Sequence, residues 1–112
     1  MNERPLDNWE AAVLRRAVAT VDWVEREPRV TVIERDDSAQ DYLFIAFATP
    51  EGQRLHATTL VHFRGSDADG ADLVLTVGTR DGWPCDLEVL RGDGQAIKAL
   101  PDPATLTEEH AS

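Results

Sequence analysis

Three groups of residues in this chain have the chemistry to hold a metal or move a proton. They are the acidic turn Asp67-Ala68-Asp69-Gly70-Ala71-Asp72, the histidines His56, His62 and His110, and the single cysteine Cys85. A twelve-residue calcium loop needs oxygen ligands at alternate positions, a glycine at the sixth and a bidentate glutamate at the twelfth. Counted from Asp67, Gly70 falls fourth, Asp72 sixth and Gly78 twelfth, so the spacing is wrong and the acids read as turn formers. His56 and His62 share a face of one strand but lie about 20 Å apart at strand rise, too far to share an ion. Either could pair with Asp86 or Glu88 as acid and base; on an open sheet face such pairs read as solvated surface. A nucleophilic thiolate wants a nearby cation or a helix N-terminus, whereas Cys85 sits beside Asp86, so it reads as a small buried strand residue. No glycine-rich phosphate loop, metal-spaced Cys/His cluster or basic aromatic surface is present in the sequence. The expectation is therefore no catalytic residue, no metal and no cofactor.

Charge is the stronger signal. The chain carries a formal net charge of -10, and residues 65–112 hold -7 of it. Such a surface repels nucleic acid and anionic membranes and attracts basic partners. With 112 residues and 42% hydrophobic content, a single domain over 1–112 with its own core is expected. One cysteine excludes an internal disulfide and favours a reducing compartment. The opening MNERPLDNWE has no apolar signal core, and the apolar run Leu43 to Ala48 is too short to span a bilayer. A cytoplasmic location is the expectation.

The elements that must position these residues follow from periodicity. Trp9, Val13, Leu14, Ala17, Val18 and Val21 form one helical stripe, Asp7 or Asn8 is a suitable N-cap, Glu10 suits the first turn, and Pro28 ends any continuation. A helix over residues 7–24 is predicted, with Trp9 and Trp23 in its packing. Residues 29–91 read as five strands: 29–35, 42–49, 54–64, 72–79 and 83–91. Pro50-Glu51-Gly52-Gln53 and Asp81-Gly82 are turns, the latter a strong hairpin signal, with Trp83 beginning the return strand. Residues 1–6 read as a lead-in and 92–112 as a tail. Ile97 and Leu100 can tack that tail to the core, and 104–112 read as frayed or a loose helical turn. One helix followed by strands on short turns predicts an α+β domain, the helix packed on a roughly five-stranded antiparallel meander.

A helix covers one face of a sheet. Strand alternation sends Leu55, Val61, Leu73, Leu75, Val77, Cys85, Leu87 and Val89 inward. The other face receives His56, Thr58, His62, Thr76, Asp86 and Glu88, together with Phe44, Leu60, Val74 and Leu90. Four apolar residues amid acid suggest a protein-binding patch. Scatter over the surface, or cover from the tail, would account for them equally well. With the turn acids, the candidate partner-binding set is Asp67, Asp69, Asp72, Asp86, Glu88, Phe44, Leu60, Val74 and Leu90.

From Leu55 onward, the order of features resembles small bacterial immunity-type proteins encoded beside toxins. The stretch that carries the likeness is His62-Phe63, the turn Asp67-Ala68-Asp69-Gly70, a strand to Val77, and Asp81-Gly82. It continues through Asp86-Leu87-Glu88-Val89, Asp93, and Ile97 to Leu100-Pro101. The resemblance covers roughly the last half of the chain and implies a non-enzymatic binder, with no site residues carried over. Together with the acid excess it leads to one expectation, an inhibitor of a basic toxin. A homodimeric structural or regulatory module pairing through the same face is the alternative, and a small enzyme comes last.

Overall fold

The computed structural model describes residues 3–18 and 29–109, and the predicted helix positions Val21 and Trp23, the stop at Pro28 and His110 lie outside them. Helix α1 spans Asn8–Val18. Its start is a reciprocal cap: the Asp7 carboxylate accepts from the Glu10 backbone N–H at 2.7 Å, and the Glu10 carboxylate accepts from the Asp7 N–H at 2.8 Å. The Asp7 carbonyl accepts the first helical bond from Ala11.

The described residues form seven strands: β1 Arg4–Pro5, β2 Thr31–Asp36, β3 Tyr42–Ala48, β4 Thr59–Ser66, β5 Asp72–Arg80, β6 Trp83–Arg91 and β7 Thr107–Glu109. They form one antiparallel sheet in the order β1-β2-β3-β6-β5-β4-β7. The α+β class is observed; the five-stranded meander is not. β4, β5 and β6 are joined by tight hairpins, but β3 pairs with β6 rather than with β4. Residues 49–58 therefore carry the chain across the sheet from β3 to β4, which makes strands β3 to β6 a Greek key. The predicted strand 54–64 begins only at Thr59, because its first residues belong to this crossover. The two additional strands come from the ends. Arg4–Pro5 pairs with β2, and Thr107–Glu109 pairs with β4 after a single 3-10 turn at Pro103–Thr105. The lead-in and the end of the tail thus add strands to the sheet, which the sequence did not suggest.

Local signals placed the turns. Asp81 and Gly82 both take positive φ, 52° and 79°, as a type I′ hairpin requires. The inner face packs Leu43, Ile45, Phe47, Phe63, Leu73, Leu75, Val77, Leu87 and Val89 with Val13, Leu14 and Ala17 of α1. Leu106 joins this core at 4% exposure, and Ile97 and Leu100 pack on its margin as expected. The helix also grips the tail. Trp9 Nε1 donates to the Pro101 carbonyl at 2.8 Å, and the Arg16 guanidinium donates to the carbonyls of Pro103 and Leu106 while lying over the Phe63 ring. No helix among the described residues is long and apolar enough to cross a membrane.

Candidate protein-binding face

Which side chains meet on the far side of the sheet is set by register. In an antiparallel pair, directly opposed residues project to the same face. Tyr42 stands opposite Leu90, which stands opposite Val74, which stands opposite Arg64. The next row is Asp36, Phe44, Glu88, Thr76 and His62, and the row after it is Glu34, Ala46, Asp86, Gly78 and Leu60. Every candidate strand residue therefore does lie on the outer face. Phe44, Val74 and Leu90 are close neighbours there; Leu60 stands apart, beyond the Thr76 and His62 row.

The outer face is half covered. The crossover lays Ala57 against Gly78, so that a Cβ on Gly78 would meet the Ala57 Cβ at 2.7 Å and the Asp86 carboxylate closer still. It also places Arg54 3.7 Å from Glu34. Ala46 and Ala48 are consequently buried although they face away from the helix. The other half stays open: Leu90 is 44% exposed, and Phe44, Tyr42, Val74 and Glu88 are half-buried. Beyond the crossover edge Leu60 is 56% exposed.

Burial, and then repulsion from Glu88, hold the Asp86 carboxyl above its ordinary range against the pull of the Gly78 N–H and Arg54. Tyr42 reports the same negative field. Burial, its hydrogen bond with Glu88 and the charges of Glu88, Asp86 and Asp36 push its phenol up to about 12. Among the described residues neither Asp86 nor Glu88 forms an ion pair.

The turn acids behave differently, and this corrects the candidate set. The Asp67 side chain is fully buried and accepts hydrogen bonds from the backbone N–H groups of Lys98, Ala99 and Ala68 and from Arg91. Burial would raise its pKa, but those donors outweigh it and hold the carboxyl well below the carboxylate range. Asp69 and Asp93 close on the same buried guanidinium, Asp69 at 2.8 Å and Asp93 at 2.9 Å. Arg91 thus fills the place a cation would take in the acidic turn and ties β6 to the tail. Neither Asp67 nor Asp69 is a free surface charge. Asp72 is exposed and lies 3.6 Å from Arg64.

His62 shares a hydrogen bond of 3.0 Å between Nδ1 and the Thr76 hydroxyl, and His56 is exposed on the crossover rather than on a strand with it. Cys85 is buried, and burial followed by the Asp86 charge pushes its thiol up to about 11, which leaves it protonated and unreactive at neutral pH. No His, Cys, Asp and Glu cluster able to hold a metal occurs among the described residues.

Six members of these rows escaped sequence reading: Tyr42, Arg64, Asp36, Glu34, Ala46 and Gly78. Tyr42 has the parity of Phe44 and was legible from it. Glu34 and Asp36 reach this face only because the β2–β3 register shifts between Val32 and Glu34, a bulge that sequence does not announce. No family model, curated protein or solved structure matches this chain.

Proposed function

We propose that this chain is a non-enzymatic acidic binding protein, an immunity-like or antitoxin-like inhibitor whose open outer face covers a basic toxin. The observation that carries the reading is the make-up of that face. Phe44, Val74 and Leu90 form an apolar centre beside the carboxylates Asp36, Asp86 and Glu88, none of which is ion-paired by a described residue. Affinity in protein complexes is concentrated in such central apolar anchors, whereas flanking charge sets encounter rate and orientation.

The edges of the sheet favour use of the face. β1 is two residues long and contains Pro5, and β7 is three residues long with two glutamates. Short, proline-bearing or charged edges discourage strand addition. A single buried cysteine accords with a reducing, cytoplasmic setting for the inhibitor.

The test is co-expression with the product of the neighbouring gene. If that product arrests growth, this chain should restore it and co-elute with it as a complex. Arrest that persists at matched expression, or a harmless neighbour, would refute the inhibitor reading. Size-exclusion of the pure chain separates the alternative: a dimer disrupted by Leu90→Asp would assign the face to self-association.

A further inference from the structure

The crossover shows on a small scale what the uncovered half of the outer face can accept. At the Ala46 step of β3, carboxylates stand on both sides, Glu34 on β2 and Asp86 on β6. The chain itself supplies the cation there: Arg54 reaches Glu34 at 3.7 Å, and its charge lowers the Asp86 pKa against burial. Two residues along β3 the arrangement repeats around Phe44, with Asp36 opposite on β2 and Glu88 opposite on β6. No described residue provides a cation at this step, since neither Asp36 nor Glu88 is ion-paired.

Two strand spacings separate Asp36 from Glu88, about 10 Å between backbones. A guanidinium or ammonium group lying over the Phe44 ring is then within reach of a carboxylate on either side. The ring face attracts cations by its quadrupole, and the two carboxylates supply charge-assisted hydrogen bonds. Next to this step Leu90 is 44% exposed and directly opposes Val74.

We propose that Phe44, Asp36 and Glu88 form a docking site for one arginine or lysine side chain of a basic partner protein, with Leu90 and Val74 receiving apolar residues beside it. This rests on the basic-partner reading above and names the chemistry of its contact. A second copy of the chain is a poor occupant, because it would set the same carboxylates against one another. An anionic membrane is repelled for the same reason.

The experiment uses the full chain and a synthetic peptide of alternating leucine and arginine, with a leucine–glutamate peptide as its counterpart. Binding is followed by nuclear magnetic resonance at low ionic strength, and folding of each variant by circular dichroism and melting. The expected result is saturable binding with the largest shifts at Tyr42, Phe44 and Leu90. Asp36→Lys and the isosteric Glu88→Gln should each weaken it at least tenfold, roughly, which equals 1.4 kcal/mol. Glu51→Lys, a similar change of charge at an exposed turn beyond the far end of β3, should alter it less than about twofold, as expected if the contact is local rather than a general attraction to acid. Equal loss in Asp36→Lys and Glu51→Lys would overturn the site, as would equal binding of the glutamate peptide. Self-association through Leu90 that the arginine peptide fails to displace would also overturn it in favour of a second copy. In the growth assay, rescue that survives Asp36→Lys and Glu88→Gln undiminished would sink this site and leave the inhibitor reading standing. Site-specific peptide binding without rescue would support the site and sink the inhibitor reading alone.

Discussion

Replacing Glu10 with Gln tests how the N-terminal end of the molecule is held. The Glu10 side chain is 0% exposed, accepts two hydrogen bonds of 2.8 Å from the Arg4 guanidinium, lies 3.1 Å from Arg35 and closes the helix cap on the Asp7 N–H. Glutamine keeps the volume but turns an amide toward two cations and removes their counter-charge. Losing one partner of a buried ion pair costs about 3–5 kcal/mol. Here the Arg4 and Arg35 side chains are 40% and 32% exposed and can rehydrate, so the lower end applies. A weakened cap adds about 0.5–1 kcal/mol, for a total of about 3.5–4 kcal/mol.

Urea unfolding reads this as a lower midpoint at unchanged slope. The effect should also depend on pH. Burial pushes the Glu10 carboxyl up, but the Arg4 hydrogen bonds, the Asp7 N–H and the charges of Arg4 and Arg35 outweigh it and leave the pKa below its ordinary value. A group depressed in the folded state contributes fully above its unfolded pKa, about 4.3, and the contribution is lost as pH falls through the folded value. The wild type and Glu10→Gln should therefore converge in strong acid. A difference below about 0.5 kcal/mol at neutral pH, within the range of ordinary surface substitutions, would refute the argument. So would a gap that persists unchanged in acid.

Gly65 on β4 has no room for a side chain, because an added Cβ would lie 2.8 Å from Leu106 Cδ2 and 3.2 Å from Pro101 Cγ. Gly65→Val should cost about 1–3 kcal/mol through overpacking and expose the C-terminal segment to limited proteolysis. Asp86→Asn should melt higher than the wild type at neutral pH, since an acid whose folded pKa is raised costs stability above that value; the gap should close as acid protonates Asp86. Asp67, Asp69 and Asp93 have the opposite sign, being held below the ordinary range, so stability supported by the Arg91 cluster should persist above the unfolded carboxylate pKa and fall through their lower folded values. With a basic partner in hand, reversing Asp72 and Glu88 to Lys should slow association and flatten its salt dependence, because charges open to solvent are screened over about 8 Å at physiological ionic strength. Asp67→Lys should instead lose the fold in circular dichroism.

Much of this protein was legible in its sequence because the signals were local. Asp7 and Glu10 stand at the spacing at which each side chain reaches the other's backbone N–H, so the helix start needed only its own residues. Asp81-Gly82 prescribes positive φ and therefore its hairpin. The period of two sorted Leu73, Leu75 and Val77 from Val74 and Thr76, because alternation is a property of any extended chain. The same rule placed Phe44, Leu60, Val74, Leu90, Asp86 and Glu88 on one face. Tertiary structure decided the rest. That β3 joins β6 rather than β4 depends on pairing between distant segments, which alternation within a strand cannot rank. The two short outer strands exist only because β2 and β4 offer unpaired edges to Arg4–Pro5 and Thr107–Glu109. The fate of the acids was decided at the same level. Asp67 and Asp86 are the same side chain in sequence, but one meets Arg91 and three backbone N–H groups in the interior, and the other meets Glu88 on a half-covered face. A carboxylate's charge is written in the chain; whether it is spent inside the fold or left for a partner depends on which distant groups the fold brings within hydrogen-bond reach.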